Sequence, residues 1–378
     1  MTSKERVLAA LSFQKTDRVP IFDEFSPEWT RRWRRQKNLG PDSDPREYYE
    51  IDMEVLTPDE TPFPSAKGVV GQAGEALLER TGWGDVRRRR GTAQFEDKWT
   101  YPTQALEVIE VAIPRKRDLD RLEFESASLD SRFPPRDEVA RRKARRCVFG
   151  KTGGPYLRSS YLRGAVQWLM DLAEDPVFAC QLAMRVADHL IAIGLETMRR
   201  YDLYDTGMWL DDDIGSNHGP VFSPATFEQV FLPCYRKMIG AYRQAGARIV
   251  IFHSDGNIES VLDMLVDAGV DAINPLEYKA GMDAVRLREK YGRRLAFIGG
   301  LDNAHTLPAG SRSEIEAHVL RLLSIAEDGG LVAGSHSIGA DVPVENYELV
   351  WQLIRATQDS RTSRPGSSQL LGWPPGRQ

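Results

Sequence analysis

The stretch 249–277, IVIFHSDGNIESVLDMLVDAGVDAINPLE, constrains the fold more than any other, because it holds a complete strand–helix–strand unit with reactive side chains at both strand ends. Ile249, Val250, Ile251 and Phe252 are consecutive β-favouring apolar residues without alternation, as in a parallel strand covered on both faces. His253 and Asp255 follow at once, and Gly256 allows a sharp turn. Ile258, Val261, Leu262, Leu265 and Val266 then recur at helical spacing with Glu259 and Asp263 on the other side, and Gly269 provides the C-terminal cap. The second strand begins at Val270, and Glu277 sits just past its end.

Other segments follow the same plan. Residues 18–25, 146–150, 204–213, 295–302 and 331–338 are each a short apolar run that stops in polar or glycine residues. Helical patterns at 224–245, 283–291, 313–327 and 344–357 lie between or after them. Strands alternating with helices imply a parallel sheet, and this many in one chain favour a closed (β/α)8 TIM barrel. A short helix over 3–14 precedes the first strand. The excursion 26–145 forms a long insertion between the first and third strands, and should contain the second strand and a cap over the mouth. Within it, 28–37 and 45–50 read as helices, 57–64 as turns, and Trp83, the 87–90 run, Phe95 and Trp99 as hairpin strands. One domain over 1–358 and a flexible tail over 359–378, rich in Gly, Pro and Ser, are expected.

A formal charge of −5 offers no field for nucleic acid, and the basic runs 87–90 and 141–146 read as local structural clusters. Cys147, Cys180 and Cys234 form no disulfide pattern, which fits a reducing cytoplasm. The N-terminus has no signal-peptide character and no apolar stretch suggests a membrane span. Catalytic groups of barrels gather at the C-terminal strand ends. The candidates there are Asp211, Asp212, Asp213, His253, Asp255, Glu277, Asp302 and His336. Phe22, Phe25, Trp29, Tyr156, Tyr161, Trp209 and Phe222 are either pocket wall or core. His189 and His318 fall in helical patterns and read as structural, while His218 and His305 read as rim or capping residues.

The opening TSKERVLAALSFQKTDRVPIF, the central HSDGNIESVLDMLVDAGVDAINPLE and the closing GSHSIGADVPVENYELV together resemble the uroporphyrinogen decarboxylase-like superfamily, over residues 3 to about 357. That superfamily includes the porphyrinogen decarboxylases and methyltransferases that exchange methyl groups with corrinoid proteins or coenzyme M. The decarboxylases resemble one another in an arginine-rich stretch after the first strand; this chain has FDEFSPEW there, with Asp23 and Glu24 in place of guanidinium groups. An acidic pair cannot replace bidentate arginine for carboxylate binding. The methyltransferase branch is similar in using His-x-Cys after the fifth strand and a Cys after the eighth to bind zinc. Here His253 matches the His, Asp255 stands at the Cys, and Ser335-His336 lies near the second Cys.

The resemblance therefore implies a cytoplasmic methyltransferase that takes a methyl group from a small methoxy or methylamine-type compound and passes it to a corrinoid carried by a partner protein. It implies a divalent metal, zinc by preference, held by His253, Glu277 and His336. Asp211, Asp212 and Asp255 are the catalytic carboxylates, and Phe22, Glu24, Tyr156, Trp209 and Asp302 contact the substrate. A homodimer is compatible with the pattern. A metal-independent lyase of the uroporphyrinogen decarboxylase kind and a non-catalytic tetrapyrrole- or corrinoid-binding protein stay open beside it.

Overall fold

The computed structural model describes residues 1–89 and 107–362. Its centre is a curled, seven-stranded, all-parallel sheet in sequential order. The strands are β1 (Met53–Leu56), β2 (Cys147–Gly153), β3 (Gly207–Asp211), β4 (Ile249–His253), β5 (Ala272–Asn274), β6 (Ala296–Gly300) and β7 (Leu331–Gly334). Alternate side chains enter two apolar layers. Phe149, Trp209, Ile251, Ile298 and Val332 point to the inside of the curl, where Val7, Leu8 and Leu11 of helix α1 (Ser3–Leu11) cover one end. Val148, Met208, Leu210, Val250, Phe252 and Phe297 pack outward with the helices. Burial on both faces is why these strands read as unbroken apolar runs.

The expected first strand over 18–25 is reduced to isolated parallel bridges, Ile21 with Ala333 and Phe25 with Ile338. Pro20 has no N–H to give a ladder. Ile21 nonetheless touches both edges of the sheet, because the Asp52 N–H donates to its carbonyl (2.9 Å) while Phe22 N–H donates to Ala333 O (3.0 Å). Buried Asp52 binds this junction together, accepting from Arg6 Nη1 (2.7 Å), from Arg18 Nη1 (2.5 Å) and from Ile21 N (2.9 Å).

The second strand is β1, and the excursion also supplies a four-stranded antiparallel sheet, Gly68–Ala73, Ala76–Arg80, Val86–Arg89 and Glu107–Glu110. Trp83 lies in the turn before the third of these and packs edge-on to Tyr161. Arg88 pairs with Glu107 (2.6 Å), Arg87 with Asp85, and Arg142 and Arg146 with Glu54 (2.8 and 3.2 Å), so these members of the basic runs are structural. The hairpin expectations at Arg90, Phe95 and Trp99 lie outside the described residues. The last helix, Val344–Thr362, runs past 358, and the tail beyond it also lies outside them.

Among the described residues one helix, Pro176–Tyr201, is long and apolar enough to cross a membrane by length and composition. Its Phe178, Leu182, Val186, Leu190 and Ile193 are buried within the fold.

Candidate metal centre

Parallel register sets the site. His253, the last residue of β4, is level with Asp211 of β3 and Asn274 of β5, and Asp211 is level with Gly153 of β2. The His253 Nε2 atom lies 3.6 Å from Asp211 Oδ1, 3.7 Å from Asp213 Oδ1 and 3.7 Å from Asp255 Oδ1. His336, just past β7, brings its Nε2 to 3.4 Å from the same Asp255 oxygen. The two imidazole rings are 5.6 Å apart, and Trp209 lies against His253 at 5.6 Å with Phe22 behind it. The ligand atoms of His253, Asp255 and His336 form one mutually close set, and those of Asp211, Asp213 and His253 a second.

These separations exceed hydrogen-bond length but suit donors around a shared cation. Ligands about 2.0–2.1 Å from a tetrahedral metal lie about 3.4 Å from one another. The protonation pattern agrees. Asn274 Nδ2 donates to the Ile298 carbonyl (2.9 Å), so its Oδ1 faces His253 Nδ1 at 2.6 Å and must accept the Nδ1 proton. In the neutral ring, Nε2 is then a lone pair aimed at carboxylates. Asp255 Oδ1 is buried with no hydrogen-bond partner, although the rest of the carboxylate reaches solvent. An orphaned, buried acceptor facing imidazole nitrogens fits a cation. Burial pushes the Asp255 carboxyl up, Asp213 and Glu277 add to the shift, and the two imidazoles oppose it.

The remaining expected site residues divide. Asp211 joins the cluster, paired with Lys151 Nζ (2.5 Å) and Arg158 Nη2 (3.2 Å), and Arg158 is also bound by Glu60 (2.5 Å). Burial would raise the Asp211 carboxyl, but Lys151, His253 and Arg158 outweigh it and hold it far below the usual range. Asp213, 40% exposed, accepts the Asp255 N–H (3.1 Å). Asp212 is not part of the cluster: fully buried, it accepts from the N–H groups of Tyr156 (2.8 Å) and Leu157 (2.7 Å) and from the Tyr235 hydroxyl (2.6 Å). It caps helix α2 (Pro155–Arg163), and burial lifts its carboxyl to about 7.

Glu277 stands outside both sets and accepts the Gly256 N–H (2.8 Å), which steadies the loop carrying Asp255. Asp302 accepts from the N–H groups of Ala304, His305 and Thr306 and from the Thr306 hydroxyl, a turn-capping role. Its own N–H donates to His318 (3.0 Å). Tyr156 packs edge-on to Phe222 and Phe231. The Glu24 carbonyl accepts the Ile338 N–H (2.8 Å), while its side chain lines an open cleft of 640 Å³ with Arg31, Arg34 and Arg46. Asp23 does not face a substrate space; it is buried against Ser335 and Tyr347. His189 bonds to the Glu60 carbonyl (2.9 Å), the structural role expected of it. Sequence reasoning missed Asn274 and Lys151 as parts of the centre.

Fold and site thus define an α/β protein whose candidate metal centre lies at the C-terminal ends of a parallel sheet. The family model described as uroporphyrinogen decarboxylase (URO-D) matches residues 104–357, so the chain belongs to that family. Among solved structures it is similar to one described as a methyltransferase from Methanosarcina mazei, with 18% identity, a TM-score of 0.64, and coverage of 96% of this chain and 100% of that one. A B12-independent methionine synthase from Shewanella sp. W3-18-1 shares 12% identity over 61% of this chain and 69% of its own, at a TM-score of 0.35 that carries no argument. The search of curated proteins returned no match.

Proposed function

We propose that this URO-D family member is a methyltransferase that removes the methyl group of a small methoxy or methylamine-type compound and transfers it to the corrinoid of a partner protein. The similarity to the Methanosarcina mazei methyltransferase supports that reaction class. The observation that carries the reading is the buried Oδ1 of Asp255, without a hydrogen-bond partner and set between the Nε2 atoms of His253 and His336. We take the barrel to close through Ile21, which occupies the eighth place between β7 and β1.

His253, Asp255 and His336 would hold a divalent ion, zinc by preference, with a fourth position left for substrate. When bound, the ion supplies Lewis acidity that polarises the oxygen or nitrogen from which the methyl group departs. The chain's own residues do the rest. Trp209 and Phe22 floor the site and keep water from beneath His253. Lys151 and Arg158 keep Asp211 ionised, so it orients substrate and holds no proton. Asp213, beside the imidazole and 40% exposed, would relay a proton from solvent water to the leaving oxygen or nitrogen. Uroporphyrinogen decarboxylation is less well served, because Lys151 and Arg158 are already paired with Asp211 and Glu60.

Metal analysis of the purified protein, paired with methyl-transfer assays on a corrinoid acceptor, tests the reading. Stoichiometric zinc in the wild type, lost together with activity in His253→Ala, is expected. Absence of bound metal, with transfer unaffected by His253→Ala, refutes it.

A further inference from the structure

Asn274 takes no step in the proposed reaction, yet its side chain meets His253 at Nδ1. The register of β4 and β5 sets the two residues side by side. Asn274 is 4% exposed and its amide is held at both ends: Nδ2 donates to the Ile298 carbonyl on β6 (2.9 Å), and Oδ1 meets His253 Nδ1 (2.6 Å). A carbonyl oxygen can only accept, so the Ile298 contact fixes which end of the amide faces the histidine. Oδ1 also only accepts, so His253 must present Nδ1–H. Among the described residues, the carboxylates within 4 Å of the ring, Asp211, Asp213 and Asp255, lie at its Nε2 edge, with the His336 ring 5.6 Å away. Those ionised carboxylates only accept, so they act on Nε2 and leave the proton on Nδ1 to the amide oxygen of Asn274. The Nδ1 proton and the orientation of the ring are therefore fixed from the Asn274 side, which turns Nε2 toward the centre.

We propose that Asn274 is a positioning residue that locks His253 in the Nδ1–H tautomer and so keeps the Nε2 lone pair aimed at the centre formed with Asp255 and His336. The inference rests on the metal-centre reading for its purpose, though not for its geometry. Partners of this kind at the far nitrogen of a metal-bound histidine change affinity by about 10- to 100-fold when removed.

The test compares wild type with Asn274→Leu, which removes the acceptor, and Asn274→Asp, which keeps one. Zinc affinity is measured by chelator competition, and the tautomer of His253 by nitrogen-15 NMR of the metal-free full chain. Wild type and Asn274→Asp should show Nδ1–H, with zinc affinities within a few-fold of one another. Asn274→Leu should lose the tautomer preference and bind zinc about 10- to 100-fold more weakly. Should the leucine variant fail to fold, Asn274→Ser, too short to reach the ring, serves in its place with the same expected loss. An unaltered His253 tautomer in the variant lacking the acceptor overturns the proposal. If wild type binds no zinc, the metal-centre reading fails by itself, and the NMR comparison still decides the role of Asn274.

Discussion

Replacing Asp255 by asparagine should stabilise the metal-free protein while abolishing its response to zinc. In the metal-free fold the Asp255 Oδ1 is buried without a partner, in a group that also includes Asp213 and Glu277. A buried unsatisfied acceptor costs about 1–3 kcal/mol, and the lower figure applies because the side chain is 37% exposed. An amide of the same shape removes a negative charge and turns an N–H toward the Nε2 lone pairs. The expected gain is about 1 kcal/mol, or roughly 1 °C for a chain whose unfolding entropy is about 0.8 kcal/mol per kelvin. Zinc at about 100 times its dissociation constant should stabilise wild type by about 2.7 kcal/mol, roughly 3 °C, and the variant hardly at all. The order of melting temperatures thus inverts on adding metal. The pH dependence has a definite sign: a carboxyl whose folded pKa is raised penalises the fold above that pKa and not below the unfolded value of about 3.9. The metal-free advantage of the variant should therefore shrink as the pH falls toward 4. Calorimetry of metal-free and zinc-loaded proteins checks both points. A metal-free variant less stable than wild type, or one with an undiminished zinc shift, refutes the reasoning.

Two further substitutions separate scaffold from site. Asp52→Ala leaves Arg18, 2% exposed, without its carboxylate and should cost about 3–5 kcal/mol in urea unfolding, whereas replacing Arg18 and Asp52 together by apolar residues should restore much of the loss; equal losses in the single and double variants contradict this. Asp302→Ala removes the acceptor for the turn at 304–306 and should cost about 1–2 kcal/mol while zinc affinity in chelator competition stays at the wild-type value; a tenfold affinity change would return Asp302 to the site.

What was legible in the sequence follows from how much each feature depends on local pattern. The runs that became β4 and β6 stand out because both their faces are buried, and a continuous apolar string followed by polar residues is all that such a strand requires. β1, four residues with Glu54 among them, is too short and too polar to show, and it is held by a buried network around Asp52 that connects residues far apart in the chain. His253, Asp255 and His336 were reachable because strand ends at one rim must converge. The three consecutive aspartates could have been resolved further. Side chains alternate along a strand, so Asp211 and Asp213 share a side and Asp212 takes the other, where the N-terminus of α2 needs an acceptor. Asn274 also left a signal, a lone amide closing the apolar run DAIN, but its meaning depends on lateral register with His253, which no single strand encodes.

The charge balance around the centre bears on the chemistry it can support. Asp211 is matched by Lys151 and Arg158, and Glu60 by Arg158, so that wall is internally compensated. Among the described residues no lysine or arginine pairs with Asp213 or Asp255, and these two carboxylates face the imidazoles directly. A dication balances them; a single proton on His253 balances one. Thiolate ligands would favour a softer ion and a sulfur substrate, whereas two imidazoles and one carboxylate favour a harder ion with nitrogen or oxygen at its open position. On the methyltransferase reading proposed above, the residues that stand in place of cysteine at 255 and 335–336 favour a substrate that releases its methyl group from oxygen or nitrogen, and sulfur donors should compete poorly for the same place.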